Sequence, residues 1–172
     1  MYQEMGEYII RDWRIEDAPS IARYANNRKI WLNLRDGFPH PYSLKDAKDF
    51  ISQAMAIKPA SVFAIATKTE AIGSIGFFPG KDVHRFTAEI GYWLAEPFWG
   101  KGIVTEAVKR ISSYAIHDMK LHRISAEPYA TNKASARVLE KAGFTYEGIL
   151  RASAFKDGEI IDQVIYSLTR IR

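Results

Sequence analysis

Cysteine is absent from this chain of 172 residues. Disulfides, thiolate metal sites and a cysteine nucleophile are therefore excluded. The four histidines do not supply a metal site either, because none stands at a spacing typical of metal ligands. His117 and His122, for example, are five residues apart, which does not place them on one helix face. We therefore expect no bound metal.

Long apolar runs and clusters of like charge are also missing. No segment approaches the roughly 20 apolar residues that cross a membrane, and residues 1–6 are polar, unlike a signal peptide. We therefore expect a cytoplasmic protein with no membrane partner. The net charge is +4, but lysine and arginine are spread along the chain. This distribution favours a solvated basic surface over a nucleic-acid-binding domain, which stays the weaker alternative.

The residues that are present predict one globular domain over residues 1–172, because 47% are hydrophobic and 26% charged. Apolar periodicity distinguishes strands from helices along the chain. The predicted strands cover about residues 8–13, 62–66, 71–78, 86–94, 123–127, 145–154 and 159–168. The predicted helices cover about residues 16–27, 43–57, 100–117 and 132–142. This order indicates an α/β chain on a mostly antiparallel sheet, with a parallel right-handed crossover over residues 86–127.

Caps and turns delimit three of these elements. Ser43 is a suitable N-cap for the second helix. Gly143 stands where the last helix should end in a left-handed C-cap. Asp157-Gly158 lies between the last two strands and is a strong hairpin-turn dipeptide.

Gly100 and Gly102 stand between a predicted strand and a predicted helix, a position typical of phosphate sites. The first N–H groups of a helix have no internal partner, the helix dipole favours anions there, and glycine lets a phosphate approach the backbone. Lys101 adds a cation. The P-loop pattern G-x-x-x-x-G-K-[ST] is absent, and Thr105 replaces the third glycine of a dinucleotide motif. A simple turn remains an alternative.

Two longer segments resemble the GNAT superfamily of N-acetyltransferases. The first combines EIGYWL at residues 89–94, FWGKG at residues 98–102 and TEA at residues 105–107. The second, residues 132–144, follows the superfamily pattern N-x-x-S-x-x-V-L-E-K-x-G-F. Within the superfamily, the chain is similar to the group of ribosomal-protein N-terminal alanine and serine acetyltransferases.

The resemblance implies the GNAT (acyl-CoA N-acyltransferase) fold, a mixed, mostly antiparallel splayed sheet of about seven strands flanked by about four helices. It also implies acetyl-CoA as co-substrate. The pantetheine arm would pair with the backbone of Tyr92, Trp93 and Leu94. The pyrophosphate would lie on the N–H groups of Trp99, Gly100, Lys101, Gly102, Ile103 and Val104. Arg137 and Lys141 would face the CoA phosphates, unless they form an ordinary solvated helix face.

The resemblance also implies roles in catalysis, with direct attack of the amine in a ternary complex. Glu89 is the candidate general base, acting through water, unless it is an ordinary solvated or ion-paired strand glutamate. Ser135 is the candidate proton donor to the CoA sulfur, since Leu139 stands where many relatives have a tyrosine. Asn132 would bind the pantetheine amide or an ordered water, or serve as the helix N-cap. Pro97 departs from the Gln or Arg that the family often has.

Residues 31–42, the aromatic loop, lie where the family binds its acceptor. Candidate acceptor-binding residues are Trp31, Asn33, Arg35 and Phe38, together with Tyr129 beyond a later strand. A loop pinned into the core by Phe38 and Trp31 is the alternative. The expected acceptor is a protein or peptide N-terminal α-amino group. A small amine (amino acid, polyamine or antibiotic) and a non-catalytic acyl-CoA-binding module remain open, as does a monomer or a homodimer.

Overall fold

The computed structural model describes residues 1–170 and contains one sheet of eight strands in the order β1-β2-β3-β4-β5-β6-β8-β7. The strands are β1 Tyr2–Met5, β2 Tyr8–Arg11, β3 Val62–Ala66, β4 Ala71–Pro79, β5 Thr87–Leu94, β6 Arg123–Ala126, β7 Thr145–Lys156 and β8 Glu159–Thr169. The α-helices are α1 Ala18–Ala25, α2 Arg28–Trp31, α3 Leu44–Ala56, α4 Ile103–His117 and α5 Lys133–Lys141. The expected mixed α/β class is confirmed.

Strand pairing is antiparallel in β1–β2, β2–β3, β3–β4, β6–β8 and β7–β8. β5 and β6 are parallel, with Thr87 opposite Arg123 and Glu89 opposite Ser125. The predicted parallel crossover is therefore confirmed. The predicted hairpin turn is also present: Asp157 and Gly158 both have positive φ, +52° and +87°, between β7 and β8.

Two elements were missed by the sequence prediction, which is why the sheet and the helix set each have one member more than expected. β1 is a polar edge strand in which only Met5 is buried, so it shows no apolar alternation. α2 is a single turn of four residues, too short for a helical period, and begins at its N-cap Asn27. α4 starts at Ile103 instead of Gly100 because Gly100 and Gly102 are left-handed.

The chain forms two compact units. The first contains residues 1–76 and 92–107, and its core joins α1 and α3 to strand residues. Ile21 and Ile51 are fully buried there, as are Ala64 and Ala71 from β3 and β4. Ser43 and Asp46 form a reciprocal capping box at the start of α3, as the sequence predicted for Ser43.

The second unit contains residues 77–91 and 108–170. Its buried side chains include Phe77, Ile111, Ile124 and Leu139, and the rings of Phe77 and Tyr114 meet edge to face at 6.1 Å. Gly143 has φ +91° directly after Ala142, the C-cap of α5, as predicted.

Candidate active site

The glycine turn, residues 99–102, connects a 3-10 helix at Glu96–Phe98 to α4. Gly100 and Gly102 have φ +75° and +76°, a region that residues with a Cβ rarely adopt. A Cβ built on either glycine would meet no atom within 4 Å. The turn therefore needs glycine for its backbone conformation, and the space above both residues is open to a ligand.

The N-terminus of α4 follows the glycine turn directly. The Glu106 N–H donates to the Gly102 carbonyl at 3.1 Å, which is the first hydrogen bond of the helix. The N–H groups of Ile103, Val104 and Thr105 come before it and have no acceptor within the helix. The Trp99 N–H, in contrast, donates to the Glu96 carbonyl at 3.1 Å and is engaged within the protein. Trp99 was predicted as a backbone donor to pyrophosphate, and this part of the prediction needs correction.

Backbone and indole contacts hold the end of β5 in place. The Trp99 indole Nε1 donates to the Leu94 carbonyl at 2.7 Å, and the Ala95 N–H donates to the Ile72 carbonyl at 2.8 Å. On β4, a Cβ at Gly73 would clash with the Trp93 carbonyl oxygen. These contacts fix the backbone at the end of β5, where the pantetheine arm is expected to pair.

Glu89 lies near the middle of β5. Ala88 and Ile90 are buried, whereas Glu89 and Gly91 are half-buried, so the predicted face shared by Glu89 and Gly91 is present. The alternation ends after Gly91, because Trp93 and Leu94 are both buried. The Phe78 ring lies on this face, with its Cε2 atom 3.5 Å from the position of a Cβ on Gly91.

Asn132 and Ser135 meet at the start of α5. The Asn132 Oδ1 accepts a hydrogen bond from the Ser135 N–H at 3.0 Å, so Asn132 is the N-cap. Leu139, at the position of the family tyrosine, is fully buried. Arg137 and Lys141 are both exposed on α5.

Tyr129 is close to this helix start in the second unit. It is 7% exposed and forms an isolated bridge with Gln163 of β8. Its carbonyl accepts a hydrogen bond from the Asn132 N–H at 2.8 Å. The structure therefore joins Tyr129 to Asn132 through the backbone, and the Tyr129 side chain is mostly covered.

The aromatic loop packs through its rings. Phe38 lies 4.8 Å from the Tyr42 ring and 5.8 Å from the Trp93 ring, between centroids. Trp31 stacks on His40 with centroids 5.6 Å apart. Burial, and then the charge of Asp46, raise the pKa of Tyr42 to about 12. Phe38 therefore pins the loop to the core, while Trp31 stays half-exposed.

The polar candidates of the aromatic loop are exposed. Asn33 donates through Nδ2 to the Lys29 carbonyl at 2.9 Å, which extends the turn after α2. The Arg35 carbonyl accepts from the Phe38 N–H at 2.9 Å, and its side chain lies at the surface.

Glu96 was missed by the sequence prediction. Its carboxylate forms an ion pair with Lys29 and accepts a hydrogen bond from Asn27 Nδ2 at 2.7 Å. Lys29 first, and then Asn27, lower the pKa of Glu96 from its ordinary value. Asn27 also accepts from the Lys29 N–H and so caps α2. The start of α2, immediately before the aromatic loop, is therefore fastened to the 3-10 helix that precedes the glycine turn.

No helix within residues 1–170 is long and apolar enough to span a membrane. No group of three or more His, Asp or Glu side chains in the same range is arranged to hold a metal ion.

Comparison with known proteins identifies the family. Residues 8–145 match the model of the Acetyltransferase (GNAT) domain. The uncharacterized N-acetyltransferase YoaA of Bacillus subtilis (strain 168) is 38% identical, over 98% of this chain and 97% of its own. The ribosomal-protein-serine acetyltransferase of Escherichia coli (strain K12) is 32% identical, over 63% of this chain and 60% of its own.

A solved structure agrees with these matches. The microcin C7 self immunity acetyltransferase MccE, in complex with acetyl-CoA and AMP, superposes with a TM-score of 0.82 and is 28% identical. The alignment covers 96% of this chain and 94% of that one. The resemblance inferred from the two motifs is thereby confirmed, and the chain belongs to the GNAT family of acetyltransferases.

Proposed function

We propose that the chain transfers the acetyl group of acetyl-CoA to the α-amino group of a protein or peptide N-terminus. The observation that carries the donor half of this proposal is the glycine turn. Its two left-handed glycines leave open space beside the first N–H groups of a 15-residue helix. That arrangement suits the pyrophosphate of CoA, because helix N-termini bind anions through free N–H groups and the helix dipole.

The pyrophosphate binds the N–H groups of the glycine turn and of the start of α4, on Gly100, Lys101, Gly102, Ile103 and Val104. The Lys101 ammonium is 5.3 Å from the centre of the Phe98 ring, and its charge adds to the same anion site. The pantetheine arm pairs with the backbone of residues 92–94, whose position is held by the contacts of Ile72, Gly73 and Trp99. Arg137 and Lys141 bind the CoA phosphates from α5.

The reaction is a direct transfer. The neutral amine nitrogen attacks the thioester carbon, a new C–N bond forms, and the C–S bond breaks to release the CoA thiolate. Glu89 accepts, through water, the proton that the ammonium gives up to become the attacking amine. The nitrogen loses a second proton as the amide forms, and this proton reaches the CoA thiolate, either relayed by the Ser135 hydroxyl or through solvent while Ser135 donates a hydrogen bond to the sulfur. The Leu94 N–H stabilises the developing oxyanion. Asn132 orients a pantetheine amide or an ordered water while capping α5.

Orientation supplies much of the rate in such a mechanism, because both reactants are bound before the bond forms. The buried Leu139 has no hydroxyl to offer the thiolate. The family resemblance assigns the donor role to Ser135, whose side chain is half-buried at the first turn of α5.

The aromatic loop binds the acceptor, through Trp31, Asn33 and Arg35, with Phe38 holding the loop on Trp93. Tyr129 is a further candidate for acceptor binding. Relatives that act on ribosomal proteins support a protein or peptide acceptor, since one of them is named a ribosomal-protein-serine acetyltransferase. MccE, named for immunity to a microcin, supports a small-molecule acceptor as the second candidate.

The chain acts as one acetyltransferase domain over residues 1–172. The family match supports this, since residues 8–145 include parts of both compact units.

The deciding experiment is an acetyl-transfer screen that follows release of the CoA thiol. The panel contains peptides with different N-terminal residues, matched N-formylated peptides, amino acids, a polyamine and an aminoglycoside. We expect turnover on free peptide N-termini and none on formylated ones. Turnover on small amines alone would support the second candidate, a small-molecule acceptor. Tight CoA binding without turnover on any amine would leave a non-catalytic acyl-CoA-binding module.

A further inference from the structure

The connection between β4 and β5 presents large apolar side chains to solvent. Val83 is 74% exposed, Phe78 53% and Phe86 49%. Two basic residues, Lys81 and Arg85, stand among them. We call Phe78, Lys81, Val83, Arg85 and Phe86 the 78–86 surface. Clusters of exposed apolar side chains on a folded protein typically mark interaction sites.

The backbone of this connection is ordered by its own hydrogen bonds. The Gly80 N–H donates to the Thr87 carbonyl at 2.9 Å, and the His84 N–H donates to the Lys81 carbonyl at 2.9 Å. A Cβ at Gly80 would lie 2.5 Å from the His84 carbonyl oxygen, so the turn closes tightly on a glycine. Asp82 has φ +52°, a left-handed conformation that few residues besides glycine adopt. The exposure of Val83 is therefore built into the turn.

The charge of the 78–86 surface is positive. Lys81 and Arg85 oppose a single carboxylate in this segment, that of Asp82. The Arg85 guanidinium lies 5.0 Å from the centre of the Phe86 ring and donates to the Asp82 backbone carbonyl, so its charge is not neutralised by that contact. The Phe86 ring also meets the ring of His122 edge to face, with centroids 5.7 Å apart. A partner for this surface should carry acidic and apolar side chains.

The 78–86 surface lies beside the candidate base. Phe86 precedes Glu89 by three residues, a separation of about 10 Å along an extended strand. The Phe78 ring packs above Gly91, which lies two residues after Glu89 on the same strand face. A polypeptide with its amino group near Glu89 can reach the 78–86 surface with its next few residues.

We propose that the 78–86 surface docks an acidic segment of the acceptor protein that follows the acetylated N-terminus. This proposal rests on the proposed function, because it assigns a partner to the same acceptor site. It makes the acceptor preference depend on residues downstream of the reacting amine.

The test compares two peptides of 16 residues that share their first four residues, beginning with serine. In one, residues 5–12 are mostly Asp and Glu with one Phe; in the other, the acidic residues are Ser and Gln. The enzyme variant is Lys81→Glu with Arg85→Glu. The control variant is Lys48→Glu with Lys68→Glu, which changes the net charge equally at two other exposed lysines.

We expect the wild-type chain to prefer the acidic peptide by about tenfold in kcat/KM, with a preference that falls as salt is added. The Lys81→Glu, Arg85→Glu variant should lose this preference with an unchanged acetyl-CoA KM, and the control variant should keep it. Equal use of both peptides by the wild-type chain, or loss of the preference in the control variant, would overturn the proposal.

Binding of the same fluorescein-labelled peptides, followed by anisotropy, separates this proposal from the proposed function. Selective binding of the acidic peptide without acetylation would support the docking surface and refute a peptide acceptor. Acetylation of both peptides without selectivity would support a peptide acceptor and refute the docking surface. Tighter binding of a uridine 12-mer, lost in the Lys81→Glu, Arg85→Glu variant, would assign the surface to nucleic acid and contradict the proposal.

Discussion

The glycine turn and the aromatic loop belong to the same compact unit but obtain their shapes differently. The shape of the glycine turn is set by its backbone, because Gly100 and Gly102 have left-handed φ values with open space around them. The shape of the aromatic loop is set by side-chain packing, because the Phe38 ring contacts the rings of Tyr42 and Trp93. A ligand common to a whole family can be bound by backbone groups, whereas a particular acceptor must be distinguished by side chains.

The largest effect should come from the glycine turn. Gly102→Val places a β-branched residue at φ +76° and fills the space beside the helix N-terminus. We expect the acetyl-CoA KM to rise about 100-fold while the acceptor KM changes little. Steady-state kinetics with each substrate varied in turn measures both values.

The matched control is Gly6→Val. Gly6 has φ +68° and likewise no atom within 4 Å of a built Cβ, but it lies in the turn between β1 and β2. It introduces the same backbone strain without a role in donor binding. An equal rise in acetyl-CoA KM for both variants would show that strain alone, and not phosphate access, is responsible.

Glu89 lies in neither the glycine turn nor the aromatic loop. Its substitution therefore tests proton transfer and not the binding of either substrate. An α-amino group has a pKa near 8, so about one-tenth of it is neutral at pH 7. Glu89→Gln should therefore lower kcat about tenfold at pH 7 and much less at pH 9, where the amine is already neutral. A pH–rate profile that matches the wild type would remove Glu89 from the mechanism.

Phe38→Ala should break the aromatic loop and spare the glycine turn. The half-buried ring loses its contacts with Tyr42 and Trp93, which should lower the free energy of unfolding by about 2 kcal/mol. We expect the acceptor KM to rise about fivefold and the acetyl-CoA KM to stay within about twofold of the wild type. Denaturant unfolding and two-substrate kinetics give these values.

Phe155→Ala is the control for the loss of a ring. Phe155 is 64% exposed on β7, so its removal should change stability by less than about 0.5 kcal/mol and leave both KM values unchanged. A similar rise in acceptor KM for Phe38→Ala and Phe155→Ala would remove the aromatic loop from acceptor binding.

The smallest effect should come from Glu96, which joins the two regions. Glu96→Gln can still accept from Asn27 but loses the ion pair with Lys29. Because this pair is partly exposed, we expect the acceptor KM to rise only about two- to threefold, and less at high salt. Asp49→Asn removes a comparably exposed pair with Lys45 on α3 and should leave the acceptor KM unchanged.

The pH dependence of stability tests the same ion pair. Lys29 and Asn27 hold the pKa of Glu96 below its ordinary value of 4.5. The wild-type chain should therefore exceed the Glu96→Gln variant in Tm above pH 4.5, and this advantage should disappear as the pH falls through the lowered pKa. An advantage that persists in strong acid would exclude the ion pair as its source.

Sequence patterns predicted the parts of this molecule that depend on local chemistry. The Ser43 cap, the Asp157-Gly158 hairpin and the glycine turn each follow from conformational preferences of a few neighbouring residues. The β1 strand escaped prediction because a polar edge strand is defined by its partner and not by its own pattern. The α2 helix was not predicted because four residues are too few to show a helical repeat of apolar side chains.

Contacts between distant segments could not be predicted in the same way. Lys29 and Glu96 are 67 residues apart, and nothing distinguishes them in sequence from other exposed charges. Phe78 is a similar case, because an aromatic residue at the end of a strand ordinarily points to burial, whereas its ring is exposed above Gly91. Local sequence patterns therefore indicated the glycine turn, but not the contacts of Glu96 or the exposure of Phe78.

The two glycines of the turn also have backbone conformations of left-handed sense. Both occupy the half of conformational space that is disfavoured for L-residues and favoured for their mirror images. A D-alanine introduced at residue 100 by chemical ligation would keep the turn, whereas L-alanine there would oppose it. Glycine, the one achiral amino acid, thus lets a ribosomally made chain form this turn without the strain that an L-residue would meet there.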